Sequence, residues 1–352
     1  MTSQTALPVA EAQRLFDAEP GWLNTASYGL PPKPAWESLQ AALEDWRRGR
    51  TSWEPWDDST QQARASFARL VGAEVSDIAV GANVSQQVGL IAAALPDGAR
   101  VLAPEVEFGS NLFPYQMHES RGVVVETVPL SELEDRVDED VDLVAISVVQ
   151  SATGEVSDLA RLAAKARSAG ALVVADATQA VGWLPVDVRH VDALVCGSYK
   201  WLCAPRGTAF CYVDPQLRER VRPLAAGWYA GDDVHANYYG PRLDLAPDAR
   251  QFDLSPAWHC WVGAAPALEL IEQVGVEQIG VHNVRLANRF RRGLGLPESN
   301  SAIVSADVPD ADRKLAAAGI RAATRAGSTR VSFHLYSTEA DVDAAVAALS
   351  GG

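Results

Sequence analysis

An α/β fold on a mainly parallel sheet is predicted by three features of the 352-residue sequence. From about residue 78 to 213, short apolar runs alternate with longer amphipathic segments, the order that strands and crossover helices impose. Several runs are apolar throughout, as strands covered on both faces must be. Hydrophobic residues are 48% of the chain and charged residues 21%, with no repeat or low-complexity tract, so a large core can be buried.

In chain order, helices are expected at 33–47 and 60–70, a strand at 78–81, and a helix at 85–95 introduced by Gly81, Asn83 and Ser85. Strands follow at 101–103, 123–127 and 143–148. A helix at 158–168 opens on Ser157 and Asp158, a capping pair ahead of Leu159, Leu162 and Ala163. Strands at 172–176, 193–197 and 209–213 complete a set of seven, and the helices so far read as short crossovers. Between 227 and 250 periodicity fails in GWYAGDD and NYYGPR, which read as a loop belonging to no core. Helices at 257–273, 281–292 and 339–349 and a strand at 329–334 then make a smaller α+β region. The expected division is a large domain over 15–255 and a small one over 256–352, the latter taking in residues 1–14.

Thirty basic against forty-five acidic residues give a formal charge of −15, which disfavours nucleic acid and anionic membrane surfaces as partners. Four cysteines without CxxC spacing, three of them in apolar stretches, point to reduced buried thiols and a cytoplasmic protein. No basic segment followed by an apolar one opens the chain and no run of about 18 apolar residues occurs, so neither an export signal nor a membrane span is expected. The six histidines do not cluster, and no metal site is expected.

Lysine is scarce: of thirty basic residues only Lys33, Lys165, Lys200 and Lys314 are Lys. Lys200 lies in CGSYKWLCAPRG, just past a buried strand, where an α/β sheet presents its ligands. An amine desolvated there can lose its proton and form an imine, although a loop lysine reaching solvent fits the same position. Asp176 closes the apolar run LVVAD at the same sheet edge. A buried carboxylate needs a cation, and a protonated pyridine ring is one; a helix N-cap is the plainer use, and both can hold. GANVSQQVGLIAA is a strand-to-helix turn whose free N–H groups suit a phosphate, with Asn83 and Ser85 equally able to serve as caps.

These segments, with LNTASYGLPP before them and TRVSFHLYSTEADVD after, resemble the class V family of pyridoxal-phosphate-dependent aminotransferase-like enzymes over nearly the whole chain. The resemblance implies a fold type I architecture, pyridoxal 5'-phosphate (PLP) as cofactor, an amino-acid substrate, and a homodimer with shared active sites. By the same resemblance Lys200 carries the imine and moves the proton, and Asp176 pairs with the ring nitrogen. Gln179 neighbours the phenolic oxygen, Phe108 stacks where many relatives have histidine, and Ser151 contacts the cofactor. Val84, Ser85, Ser198 and Tyr199 hold the phosphate, with Trp228 reaching it from the partner subunit. Arg330 binds the α-carboxylate, with Asn24 and Thr153 also on the substrate; the plainer reading of Arg330 is a surface strand arginine.

Transamination is the first expectation. A C–S or C–C β-lyase like kynureninases or hercynylcysteine sulfoxide lyases, an epimerase, and a cofactor-binding regulatory protein without turnover are the alternatives. A persulfide-forming desulfurase is disfavoured because no cysteine follows Cys260.

Overall fold

A computed structural model describes residues 6–351. Seven strands, β1 (Ile78–Gly81), β2 (Arg100–Pro104), β3 (Val124–Val128), β4 (Leu143–Ser147), β5 (Leu172–Asp176), β6 (Ala193–Gly197) and β7 (Ala209–Val213), form one sheet in the order β1-β7-β6-β5-β4-β2-β3. Only β7 runs against its neighbours, pairing antiparallel with both β1 and β6. The remaining pairs are parallel, which places the carboxyl ends of β2, β4, β5 and β6 along one edge. Alternation of side chains divides each strand between two cores. Val80, Leu102, Ile146, Ala175, Leu194 and Phe210 face one side, and Ala79, Val101, Ala145, Val174, Val195 and Cys211 the other.

The helices preceding β1 differ from the expectation. After α1 (Val9–Gln13), α2 (Lys33–Arg47) and α3 (Glu54–Val71) are not crossovers; both pack on the later helix that spans Trp258–Val274. α3 starts six residues earlier than predicted, because Pro55 suits a first helical turn and Glu54 and Asp57 complement its positive end. It stops at Gly72, left-handed at φ 70°. The sheet's own helices are α4 (Val84–Ala94), α5 (Phe113–Gln116) and α6 (Leu159–Ala169), with α7 (Pro215–Arg218) after β7.

The segment 227–250 is an irregular, largely exposed loop over 232–245 as expected, but its ends enter the cores. Tyr229 is buried in the first core, where its hydroxyl bonds Asp57 and accepts from Gln61 Nε2 at 2.9 Å. The Trp228 ring meets Trp53 at 5.4 Å and Tyr238 at 5.1 Å. Aromatic partners supplied by neighbouring helices bury what periodicity within the segment cannot.

Beyond it come α8 (Trp258–Val274), α9 (Val276–Gly293), α10 (Ala311–Ala317) and α11 (Glu339–Ser350), with a three-stranded antiparallel sheet of β8 (Ile303–Ala306), β9 (Ala323–Arg325) and β10 (Ser328–Ser332). A separate third core gathers Leu286, Phe290, Val304, Leu315, Val331 and Val342 from these elements. α8 instead gives Trp261, Leu268 and Ile271 to the first core. The boundary at 255/256 therefore stays a proposal, with α8 on the large domain's side of the packing.

Arg64 on α3 and Asp253 tie this frame together. Both side chains are about 1% exposed, joined at 2.5 and 3.2 Å, while Arg64 also donates to Ile78 O at 2.6 Å and Asp253 accepts Val80 N–H at 2.7 Å. Removing one partner of such a pair strands the other charge out of water. Asp253→Ala should cost about 3–5 kcal/mol, read as a lowered denaturant midpoint. An unchanged midpoint would show that the pair does not secure β1.

Candidate active site

The parallel register brings three strand ends together. Asp176, the last residue of β5, is paired in register with Ser147 of β4 and Val195 of β6. Five residues beyond Val195 comes Lys200, in a tight turn fixed by Ser198 N–H to Thr208 O (3.2 Å), Ala204 N–H to Ser198 O (3.2 Å) and Cys203 N–H to Lys200 O (3.2 Å). Cys203 takes φ 54° to make that turn. Gly29 closes over it: its N–H donates to Tyr199 O at 3.0 Å, and a Cβ there would lie 1.9 Å from Lys200 O.

Lys200 is 6% exposed and opens on a cavity of about 480 Å³. Its Nζ lies 5.4 Å from the centre of the Phe108 ring and 5.6 Å from that of Tyr199. Burial pulls the amine down to about 8; Asp176 opposes the shift and Arg330 adds to it. Asp176 is pushed up by burial, offset in part by Thr178 N–H, which it accepts at 2.8 Å. It thus caps a turn, where a helix was expected after it, while its carboxylate lines the cavity.

α4 points its first turn at the same space. Asn83 is its N-cap, accepting Gln86 N–H at 3.0 Å and the Ser85 hydroxyl at 2.8 Å, and Val84 and Ser85 line the wall. First-turn amides have no acceptor within the helix, so this end suits an anion. Tyr199 lies on that wall, its phenol pushed up mainly by burial.

Gln179 and Ser151 line the opposite end. Gln179 Nε2 donates to Ser151 Oγ (2.9 Å) and Ala26 O (3.0 Å), and its Oε1 accepts Trp201 Nε1 at 2.8 Å. Arg330 stands buried behind Ser151, donating to its carbonyl (2.6 Å) and hydroxyl (3.1 Å).

Five expected residues stand outside the cavity lining, Arg330 behind Ser151 being the first. Ser198 is fully buried with its hydroxyl spent on Thr208. Thr153 is exposed and accepts Glu155 N–H at 3.2 Å, a turn contact. Asn24 forms a bridge to Ser332 and leaves its buried Oδ1 without a partner. Trp228 packs among aromatics outside the lining of its own subunit's cavity.

Two residues were missed. Glu107 is buried beneath Phe108, accepting N–H groups from Ser147 (2.7 Å) and Phe108 (2.9 Å) and pushed up by burial, with nearby Asp176 also raising it. Arg206 lines the wall with its guanidinium 4.6 Å from the Tyr199 ring centre, and no carboxylate pairs with it among the described residues. Its place in APRG, six residues past Lys200, was the available signal; an acid beside an aromatic at a strand end was that for Glu107.

Comparison with known proteins agrees with this architecture. An uncharacterised aminotransferase of Bacillus subtilis is 28% identical over 74% of this chain and 71% of its own length. A probable cysteine desulfurase of Methanothermobacter thermautotrophicus is 26% identical over 65% of this chain and 60% of its own length. The cystine C–S lyase C-DES, solved with glycine covalently linked to its PLP cofactor, superposes with a TM-score of 0.86 at 20% identity, covering 96% of this chain and 98% of that one. That likeness shows the fold, the fold type I architecture expected from the sequence. The family model described as Aminotransferase class-V matches residues 50–316, from just before α3 to within α10, and the chain belongs to that family.

Proposed function

We propose that this protein is a PLP-dependent enzyme acting on an amino acid, with Lys200 as its proton carrier and β-elimination of a sulfur substituent as its first reaction. The observation that carries the reading is Lys200 itself: a desolvated lysine facing a cavity bounded by a buried carboxylate and an anion-binding helix end. When bound, PLP supplies an electrophilic carbon for amines and a ring that accepts the electrons released at Cα. The fit is chemical at both ends. Val84, Ser85, Tyr199 and Arg206 suit a phosphate, Asp176 a ring cation, Gln179 and Ser151 an oxygen anion, and Phe108 the face of a ring. Arg330 would draw the substrate carboxylate towards Ser151. Ser198 and Thr153 would contribute through the turns they hold, Asn24 by shaping the edge beside Ser332, and Trp228 from a partner subunit in a homodimer.

Lys200 at about 8 can give and take a proton near neutral pH. Phe108 has no proton to deliver, so the two-base exchange of an epimerase would need Tyr199, the other ring near the amine, as its second acid. Both β-elimination and transamination need only one proton carrier. Elimination comes first on the likeness to a probable cysteine desulfurase and a cystine C–S lyase fold. No cysteine lines the cavity, so sulfur would leave with the product rather than on the enzyme. Transamination is the second reading, favoured by the family and by the Bacillus relative. Four free cysteines, three buried and one half-buried, suit a reducing cytoplasm.

Incubation with a panel of amino acids separates these readings. Elimination from an S-substituted cysteine yields pyruvate, ammonia and thiol in equal amounts; a 2-oxo acid without ammonia would give the reaction to transamination. Lys200→Ala should abolish turnover and the borohydride-fixed pyridoxyl label, and a label mapped to Lys33, Lys165 or Lys314 would overturn the assignment. In cofactor-free protein Lys200 should acylate along a titration centred near pH 8. Asp176 favours the ammonium, so Asp176→Asn should move that midpoint down, and a rise would contradict the pairing. Trp228→Ala should weaken dimer and cofactor retention together in sedimentation runs; a monomeric wild type with full cofactor would refute the shared site.

A further inference from the structure

Arg330 is 1% exposed, and no carboxylate lies within salt-bridge distance of it among the described residues. Its guanidinium donates only to neutral oxygens, Ser151 O, Ser151 Oγ and Ser27 Oγ (2.7 Å), and its Nε has no partner. A second guanidinium converges on the same place. Arg325 ends β9 at a tight turn whose Ala326 and Gly327 take φ 47° and 82°, and its Nη2 donates to the same Ser27 hydroxyl at 3.3 Å. Arg325 too lacks an acidic partner, its other bond going to the adjacent Thr324 O. The two cations repel: burial pulls Arg330 down to about 10, and Arg325 pulls it further the same way.

Two unpaired guanidiniums sharing one serine hydroxyl form a site short of negative charge. One carboxylate satisfies Arg330. We infer that Arg325 binds a second anionic group on the substrate, so that the substrate is an amino acid with an acidic side chain or an acidic substituent on its sulfur. Arg330, buried beside Ser151, takes the α-carboxylate; Arg325, exposed on its turn, takes the group further out. Ser27 oxygen holds the place that anionic oxygens would fill. The inference rests on the proposed amino-acid chemistry, yet Arg325 itself touches neither the cavity wall nor Lys200.

Calorimetric binding of succinate and of butyrate, acids of equal carbon number with two charges and one, tests this on the holoprotein. A charge-assisted bond of this kind is worth roughly tenfold in affinity, so wild type should prefer succinate by about that factor. Arg325→Ala should lose the preference and leave butyrate affinity unchanged, and Arg325→Lys should keep part of it. Equal affinities in the wild type, or a preference that survives Arg325→Ala, overturns the inference. A loss of butyrate affinity in Arg325→Ala also overturns it, because both arginines would then hold one carboxylate. The borohydride label on Lys200 is read on the same sample. Label without preference defeats only this inference, and preference without label defeats only the proposed enzyme.

Discussion

Everything at the site follows from the removal of water around one amine. Lys200 is desolvated because the chain after β6 cannot swing out: Gly29 presses on its carbonyl, Cys203 turns back onto it, and Trp201 is held from two directions by Gln179 and by His334, whose Nε2 lies 2.9 Å from Trp201 O. Each contact comes from a different part of the chain, so the turn forms only when the N-terminal segment, the β5 end and the C-terminal region are in place. Burial also pulls His334 down to about 3, so the imidazole is neutral and donates to the Trp201 carbonyl at any physiological pH. The lysine's chemistry is thereby tied to completion of the fold.

A buried cation has a cost that the site distributes rather than cancels. Asp176 offsets part of it, yet the two do not form a close ion pair; neither is bonded to the other within 4 Å. Glu107 follows β2, across β4 from Asp176, and its carboxylate is saturated by N–H and O–H donors from Ser147, Phe108 and Gln150. The floor is therefore acidic and fixed, while Arg206 on the wall and Arg330 buried behind Ser151 carry cations without counter-charges among the described residues. In a chain of formal charge −15 these unpaired cations run against the average surface, which is the electrostatic basis of the proposed anionic substrate ends.

Much of this was legible in the sequence, for reasons that differ by element. β1, β5, β6 and β7 fall at the expected residues because strands covered on both faces, parallel or antiparallel, are continuous apolar runs bounded by polar turns. Lys200 and Asp176 were legible because residues just past such runs have one place to go. Only the start of the 227–250 loop departs from the expectation, because the burial there comes from Trp53, Trp258 and Asp57, partners distant in sequence that no periodicity within the segment encodes. Ser198 was assigned to the phosphate by the family resemblance, but a hydroxyl next to a tight turn is as readily taken by the chain itself, here by Thr208. Glu107 and Arg206 depend on how loops fold over the sheet edge. Their companions are tens of residues away, so local pattern had no means of separating them from surface charge.

The hydrogen bonds at the outer end suggest why an arginine so buried can persist without an acid. Arg330 keeps Ser151 and Ser27 oxygens as partners, neutral acceptors that satisfy geometry but give up the stronger bond an anion offers. Those partners also hold the guanidinium in one orientation, so little rotamer entropy remains to be lost when a carboxylate arrives. Ser151 is shared with Gln179, and Gln179 with Trp201, so a change at the carboxylate end is mechanically continuous with the turn that carries Lys200. The proposed carboxylate site and the turn of the proposed proton carrier thus belong to a single hydrogen-bonded unit rather than to separate residues.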